Sequence, residues 1–315
     1  MIVGLVVTAV VLGIAFFALR QILHDVTWAD LTASLSSISG LRMAAAALLT
    51  AACYLALSGY DRIALRSIGK ALPWHRAALA SSAAYALSHN LGFAPITASY
   101  ARHRVYTSDG LGLGDVARVV VLTGAAFWLG IVLMLGVCLI VVPDMVSMHG
   151  IAMNRTTQAA CGLIVVDLFI GYLLLISRGK REIGIRSWRV PLPSLPDALV
   201  QSGISFAEML LASAVLWILL PSATIADYPL VLVAYVAAFV AVLITHAPGG
   251  AGVLEAIILV MLPDLPKAEV LSALIVFRVV FHLIPLGFAI AILAAHRPAT
   301  GRSAAPKGIA EPVGS

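Results

Sequence analysis

The chain has 315 residues, of which 61% are hydrophobic and 11% are charged, and its mean hydropathy is +1.03. Soluble domains carry about 25% charged residues, and a chain this apolar has too little polar surface to cover a soluble core. The composition therefore excludes a soluble globular protein and predicts an all-α, polytopic integral membrane bundle. The net charge of +5 favours basic cytoplasmic loops beside anionic lipid over nucleic-acid binding.

Six apolar stretches are long enough to cross a bilayer as full spans, since a helical span needs about 20 residues. These stretches are 2–23, 41–60, 115–142, 156–177, 198–220 and 269–295. Two further apolar stretches, 77–106 and 229–262, are interrupted by helix breakers in SHNLGFAP (88–95) and THAPGG (245–250). The piece after the second break is too short to cross a hydrocarbon core of about 30 Å.

Basic residues indicate how these stretches thread through the membrane, because cytoplasmic loops carry an excess of Lys and Arg. The basic residues form four clusters, at 62–76, 102–104, 178–189 and 297–307. All four clusters are cytoplasmic only if 77–106 dips in from the cytoplasm and returns, and 229–262 does the same from the outer face. Both termini are then cytoplasmic. The alternative for each interrupted stretch is a kinked helix packed against its neighbours.

This threading predicts about six full spans plus two oppositely oriented re-entrant hairpins, arranged as an inverted repeat of 1–142 and 156–297. Together they form a single transmembrane domain, 1–297, and residues 298–315 are expected to be a disordered cytoplasmic tail. Inverted repeats with broken helices are a transporter architecture, in which the substrate binds near the bilayer midplane.

The two breaks also predict an anion site. One half-helix is expected to start near Pro95 and another near Gly252, because Pro suits a first helical turn and Gly the turn before it. Their N-termini would point into the membrane interior, where unpaired N–H groups and the positive dipole end attract an anion. A lipid phosphate is one such group.

Ionisable side chains within apolar spans are costly and indicate function. The candidates are Asp61, His89, Asp167, Glu208, His246, Glu255, Arg278 and His282. Structural alternatives stay open: Asp61 could pair with a nearby Arg, Glu255 could cap its half-helix, and the histidines could be satisfied in the core. Glu208 and Arg278 lie far from either predicted membrane face and are the strongest candidates. Arg278 and His282 are four residues apart, which places them on one face of an α-helix.

The motifs of soluble enzymes are missing from the sequence. It has no phosphate-binding loop, no HExxH and no GxSxG motif, which argues against a dedicated ATPase or hydrolase. Cys53, Cys138 and Cys161 lie in apolar runs without metal-ligand spacing and are expected to be small core residues. The sequence therefore predicts no catalytic residue, no metal site and no cofactor.

Four segments carry a family resemblance: SHNLGFAP…ARHRVY, GLGLGDVARVVVL, THAPGGAGVLEAIIL and FRVVFHLIPL. Together they resemble the membrane domain of bacterial lysylphosphatidylglycerol synthases and their stand-alone relatives, over about 59–295. The resemblance implies a flippase-like domain for lipids, here without the soluble domain that synthesises the aminoacylated lipid. Arg102, Glu255 and Arg278 match motif positions of the family. Glu208 and Asp61 are similar to its acidic positions.

One departure concerns the tip of the first hairpin. Relatives often have a glycine pair shortly before the first Arg, whereas this chain reads ITASYAR and places Ala98 and Ser99 there. A bulkier wall at this tip means that the resemblance does not extend to an identical choice of headgroup.

The leading hypothesis is a bacterial inner-membrane lipid translocase that moves an anionic or aminoacylated phospholipid, or another polar-headed lipid. The expected partner is a membrane lipid with a charged headgroup, and a separate soluble lipid synthase is a further candidate. The alternatives are an intramembrane lipid-modifying transferase that uses Glu208 or Glu255 as a base, and a membrane protein that recruits a lipid synthase. The predicted substrate-binding residues are Arg102, Arg278, Glu208, Glu255, Asp61, His89, His246, His282, Gly249 and Gly250.

Overall fold

The computed structural model describes residues 26–142, 154–178, 182–185, 188–245 and 247–296. The predicted first span 2–23, the predicted tail 298–315 and His246 lie outside these residues. The described elements, in chain order, are α1 (Trp28–Ser37), α2 (Gly40–Ser67), α3 (Trp74–Leu91), α4 (Ala94–Tyr106), α5 (Leu113–Val141), α6 (Arg155–Ser177), β1 (Glu182–Ile185), β2 (Trp188–Pro191), α7 (Leu195–Ile218), α8 (Tyr228–Thr245), α9 (Val253–Met261), α10 (Lys267–Phe277), a π-helical turn (Arg278–Leu283) and α11 (Ile284–Ala295).

The fold is an all-α polytopic membrane bundle, as the composition predicts. Six described helices are long and apolar enough to cross a membrane: Gly40–Ser67, Leu113–Val141, Arg155–Ser177, Leu195–Ile218, Ile225–Thr245 and Lys267–Ala295. Five of them coincide with predicted full spans. The short antiparallel pair of β1 and β2 lies in the basic stretch between α6 and α7.

One difference from the sequence-based expectation lies between the first two predicted spans. The stretch 24–40, expected to be a loop, contains α1, which begins at a capping box between Thr27 and Asp30. The sixth spanning helix, Ile225–Thr245, is the first arm of the second interrupted stretch. This arm is therefore long enough to cross the membrane by itself, and a re-entrant path for it stays a prediction.

Both interrupted stretches fold as a helix, a breaker turn and a second helix. In the first hairpin, α3 of 18 residues and α4 of 13 residues pack against each other. In the second hairpin, α8 of 18 residues packs against α9, which has only nine. The half-helices begin where the sequence predicts: α4 at Ala94 with Pro95 in its first turn, and α9 directly after Gly252.

Small residues let the helices approach closely, which is how helices associate in a membrane. The inward face of α3 is a row of fully buried alanines, Ala77, Ala80, Ala83, Ala84 and Ala86. Where α5 crosses α7, an added Cβ on Gly130 would lie 1.8 Å from Ser205 Oγ. Where α5 crosses α6, an added Cβ on Gly162 would lie 2.6 Å from the Gly136 carbonyl oxygen. Larger residues at these crossings would separate the helices.

Side-chain donors satisfy several helix C-termini, whose last carbonyls lack intrahelical partners. Arg42, at the start of α2, donates to the carbonyls of Ile218, Leu220 and Pro221 at the end of α7, at 2.8–3.2 Å. Arg104 of α4 donates to the Leu293 carbonyl near the end of α11, at 2.7 Å. These bonds fix α2 to α7 and the first hairpin to the last helix.

Candidate functional site

A cavity of about 260 Å³ lies where the two hairpins meet. Its wall combines the turn of the first hairpin, part of α5, the end of α8, the breaker turn of the second hairpin and the π-helical turn. Aromatic side chains dominate the wall, and the polar and titratable groups on it are Tyr85, Ser88, His89, Arg102, Thr123, Tyr235 and His282. The two breaker turns, far apart in sequence, thus line one space.

Backbone conformations that favour glycine shape both turns. In the first turn, Gly92 has a φ of 70° and Phe93 a φ of 48°, which is rare for a residue with a Cβ. In the second turn, Gly249 and Gly250 have φ values of 60° and 65°. An added Cβ on Gly250 would also lie 2.8 Å from Val242. The predicted site residues Gly249 and Gly250 therefore make the turn possible as well as lining the cavity.

Arg102 and Asp61 form a fully buried ion pair beside the cavity. Arg102 Nε lies 3.2 and 2.9 Å from the two Asp61 oxygens, and Nη2 lies 2.7 Å from Oδ1. Tyr106 donates to Oδ2 at 2.6 Å. Asp61 is 0% exposed and Arg102 is 2% exposed. The guanidinium carbon lies 5.4 Å from the centre of the Tyr85 ring. Among the described residues that line the cavity, Arg102 is the one arginine or lysine.

Arg278 and Glu255 form a second ion pair, which holds the second breaker turn. Arg278 Nε donates to Glu255 Oε1 at 2.6 Å, and Nη1 donates to the Gly249 carbonyl at 2.7 Å. The other oxygen of Glu255 accepts from the Gly252 N–H at 2.8 Å. Glu255 therefore caps α9, as one alternative predicted, and also pairs with Arg278. Arg278 does not line the cavity but fixes the turn that does.

The π-helical turn is hydrogen-bonded to both hairpins. Its winding is wider than that of an α-helix, and some of its carbonyl groups accept from donors on other helices. Asn90 at the end of α3 donates to the His282 carbonyl at 3.0 Å, and Tyr54 of α2 donates to the Phe281 carbonyl at 3.3 Å. Arg278 begins the same turn and reaches the second hairpin. The expectation of a regular α-helical face for Arg278 and His282 is corrected here: the segment is π-helical, and Arg278 contacts the breaker turn while His282 lines the cavity.

His89 and His282 lie next to each other on the cavity wall. Their ring centres are 6.2 Å apart, and His89 also lies 6.0 Å from the Tyr85 ring. The Nδ1 atom of each histidine is buried and has no hydrogen-bond partner among the described residues. The two histidines are thus neighbours, one from the first hairpin and one from the π-helical turn.

Glu208 lies deeper, on α7, and does not line the cavity. It is 2% exposed, and its Oε2 has no hydrogen-bond partner among the described residues. Two cavity-lining tyrosines, Tyr85 and Tyr235, are within electrostatic range of it. Asp167, by contrast, is exposed on α6. No described residue forms a hydrogen bond with its carboxylate.

The structure also shows site residues that the sequence did not single out. Tyr106, Asn90 and Tyr54 all donate hydrogen bonds that hold charged or π-helical groups in place, and their role depends on contacts between distant elements. Ala98, one of the two residues expected to make the tip of the first hairpin bulkier, lines the cavity, whereas Ser99 donates to the Pro95 carbonyl. A wall that is bulkier than in the resembling family stays a prediction.

These features define a multi-pass helical membrane protein with paired charges and a cavity at its breaker turns. No protein-family model matches the chain. It is 30% identical to the uncharacterized protein slr0712 of Synechocystis over 282 residues, 86% of this chain and 84% of that protein. It is 27% identical to the inner membrane protein YbhN of Escherichia coli over 268 residues, 83% of this chain and 82% of YbhN. The chain belongs to the family of these proteins, and its apolar helices together with the likeness to YbhN support a multi-pass location in the inner membrane.

Proposed function

We propose that the chain is a lipid translocase of the inner membrane, which moves an anionic or aminoacylated phospholipid or another polar-headed lipid between leaflets. The observation that carries this proposal is the cavity at the two breaker turns, with Arg102, His89 and His282 on its wall. Irregular backbone at membrane depth is tolerated where protein or a water-filled cavity surrounds it. The resemblance to the membrane domain of lysylphosphatidylglycerol synthases supports lipid as the cargo.

In this mechanism the headgroup enters the cavity while the acyl chains stay in the bilayer. Arg102 meets the phosphate, because it is the cationic group on the wall and Asp61 fixes its orientation through Nε and Nη2. Arg278 acts through the Gly249 carbonyl, by holding the second turn in place. The apolar and aromatic parts of the wall contact the glycerol and the upper acyl chains.

The ion pairing also limits which headgroups fit. Arg102 and Arg278 are each neutralised by a carboxylate, so the two pairs carry no net charge. A headgroup therefore competes with Asp61 for Arg102, and does not meet two free guanidinium groups. This favours a cargo that brings both a phosphate and further polar groups, as in aminoacylated or glycerol headgroups.

We also propose that the chain leaves the lipid chemically unchanged. The alternative of a transferase needs a general base, and Asp61 and Glu255 are both held by arginines. Glu208, the other base that the sequence offered for this reaction, is set back from the cavity. Synthesis of an aminoacylated cargo is then assigned to a separate soluble synthase, which is the partner that the resemblance implies.

Filling the cavity provides a direct test. Gly124 of α5 lines the cavity, and an added Cβ there would meet no atom within 4 Å. The side chain of Gly124→Leu therefore starts into headgroup space from a Cβ that meets no clash. Gly171→Leu on α6 is the matched control, because an added Cβ there also meets nothing within 4 Å and Gly171 does not line the cavity.

The assay follows acyl-labelled fluorescent phosphatidylglycerol and aminoacylated phosphatidylglycerol in proteoliposomes, with a membrane-impermeant quencher outside. We expect the wild type and Gly171→Leu to speed quenching of the inner-leaflet lipid equally, and Gly124→Leu to slow it at least about tenfold, the loss of roughly 1.4 kcal/mol of headgroup binding. Equal rates for all three proteins would place lipid movement outside this cavity. No acceleration by the wild type would overturn the proposal for these lipids.

A further inference from the structure

Glu208 is a buried acid without a counter-charge. It lies in the middle of α7, it is 2% exposed, and Oε2 has no hydrogen-bond partner among the described residues. The other intramembrane carboxylates near the centre, Asp61 and Glu255, each pair with an arginine. Among the described residues, no arginine, lysine or histidine forms an ion pair with Glu208. Its ionisation state is therefore not fixed by a partner, in contrast to the other two.

The neighbours of Glu208 are neutral groups that can carry or stabilise a proton. The titratable groups within electrostatic range are Cys53, Tyr54 and Tyr60 of α2, Tyr85 of α3 and Tyr235 of α8. The hydroxyl of Tyr60 hydrogen-bonds to Ser205 Oγ, one turn before Glu208 on α7. Tyr85 also lies beside the Arg102–Asp61 pair.

A series of neighbouring ring side chains connects Tyr60 with the cavity wall. The Tyr60 and Tyr85 ring centres are 6.5 Å apart, those of Tyr85 and His89 are 6.0 Å apart, and those of His89 and His282 are 6.2 Å apart. Tyr85, His89 and His282 all line the cavity. These neighbouring rings therefore connect the cavity wall to Tyr60, which lies within electrostatic range of Glu208.

An unpaired carboxylate in an apolar interior is strongly destabilised, so the group binds a proton or another cation. A metal ion would need several ligands, and the described residues hold no cluster of three or more His, Cys, Asp or Glu residues that could supply them. Sodium would need further oxygen ligands, whereas the hydroxyls of Tyr60 and of Ser205, one turn before Glu208, bond to each other. A proton needs none of these ligands.

We propose that Glu208 is a proton-binding site and that lipid movement is coupled to the transmembrane proton gradient through it. This inference rests on the proposed translocase function. When Glu208 is protonated, its side chain carries no unpaired charge and α7 can move against α2 and α8. When it is ionised, it must reach water or a cation, which favours the conformation open to the cavity.

The first experiment measures the bound proton directly and does not depend on transport. Infrared titration of the purified, full-length protein follows the C=O band of a protonated carboxyl group. We expect such a band near neutral pH in the wild type, its loss in Glu208→Gln and its retention in Glu208→Asp, which keeps a carboxyl group on a side chain shorter by one methylene. Asp264→Asn, which removes an exposed carboxylate, is the matched control and should leave the band unchanged. A band that persists in Glu208→Gln, or that is missing from the wild type, would overturn the site.

The second experiment measures coupling in proteoliposomes with acyl-labelled phosphatidylglycerol and brief albumin extraction of the outer leaflet. For one proton per lipid, a gradient of about one pH unit can hold a lipid ratio of up to about tenfold between leaflets, equivalent to about 1.4 kcal/mol. We expect the wild type and Asp264→Asn to build an asymmetry that reverses with the gradient. Glu208→Gln should move lipid without building it.

The outcomes separate the two proposals. A wild type that moves lipid but ignores the pH gradient overturns the coupling and leaves the translocase function standing. An asymmetry that follows a sodium gradient and not the pH gradient also overturns it, because the bound cation is then not a proton. A wild type that moves no lipid overturns the translocase function and the coupling together, whereas the infrared titration still decides whether Glu208 binds a proton.

Discussion

Removal of the Asp61 carboxylate should expose how strongly the buried ion pair stabilises the bundle. In Asp61→Asn, Arg102 keeps its charge but loses the anion that accepts from both Nε and Nη2, and Tyr106 loses a charged acceptor. The Arg102 and Asp61 side chains are only 3% and 0% exposed, so the side of Arg102 that faces Asp61 has little access to water that could replace the lost partner. The variant therefore leaves an uncompensated buried cation.

The magnitude follows from this burial. Breaking a buried ion pair by removing one partner costs about 3–5 kcal/mol, because the remaining charge stays desolvated. The double variant Asp61→Asn with Arg102→Gln removes both charges, so it should lose clearly less stability than the sum of the two single variants. We expect a coupling energy of about 2–3 kcal/mol, at the upper end of those found between residues in contact.

The assay is reversible unfolding of the purified protein in mixed micelles, for all four members of the cycle. The matched control is the ion pair between Arg66 and Asp197, whose nitrogen and oxygen are 3.4 Å apart and whose side chains are 55% and 31% exposed. Exposed pairs contribute about 0–1 kcal/mol, so its cycle should give a coupling energy near zero. If the Asp61–Arg102 cycle gave a similarly small value, the argument that burial makes this pair strong would be refuted.

Two further predictions concern helix packing and the second breaker turn. Gly130→Ala should lower the free energy of unfolding by about 1–3 kcal/mol, because the new Cβ would lie 1.8 Å from Ser205 Oγ. Gly114→Ala is the control and should not lower it, because its Cβ would meet no atom within 4 Å. Thermal unfolding compares the two variants, and equal stability would contradict the close crossing of α5 and α7. Arg278→Lys keeps the charge but cannot hold Glu255 and the Gly249 carbonyl together. The loss of one charge-assisted hydrogen bond of about 1.5–3 kcal/mol should speed backbone amide hydrogen exchange in the turn about tenfold or more. Mass spectrometry measures this exchange. Unchanged exchange would show that Arg278 does not hold the turn.

The sequence determined the class of fold and the position of the breaks. Apolar runs of about 20 residues predict spans because each backbone polar group in lipid must be satisfied within a helix, and five described spans match them. Pro95 and Gly252 marked the starts of the half-helices, since the backbone preferences of Pro and Gly are local. The same logic did not find α1, a short capped helix whose composition resembles that of a loop.

The candidate acids and bases were also visible from the sequence, because a charge in an apolar run is conspicuous whatever its partner. This reasoning identified four of the candidates: Asp61, Glu208, Glu255 and Arg278. The sequence could not decide their partners, and it therefore left open whether Asp61 and Glu255 pair, cap a helix or bind substrate.

Only the tertiary structure decided these pairings. Asp61 and Arg102 are 41 residues apart in sequence, and the pairing of Arg278 with Glu255 spans 23. The π-helical turn depends on donors from other helices, which donate to the carbonyls that it frees from the regular ladder. Hydropathy and breaker residues act locally and can be read along the chain. Ion pairs and cavities form between elements, and their geometry exists only once the helices have packed.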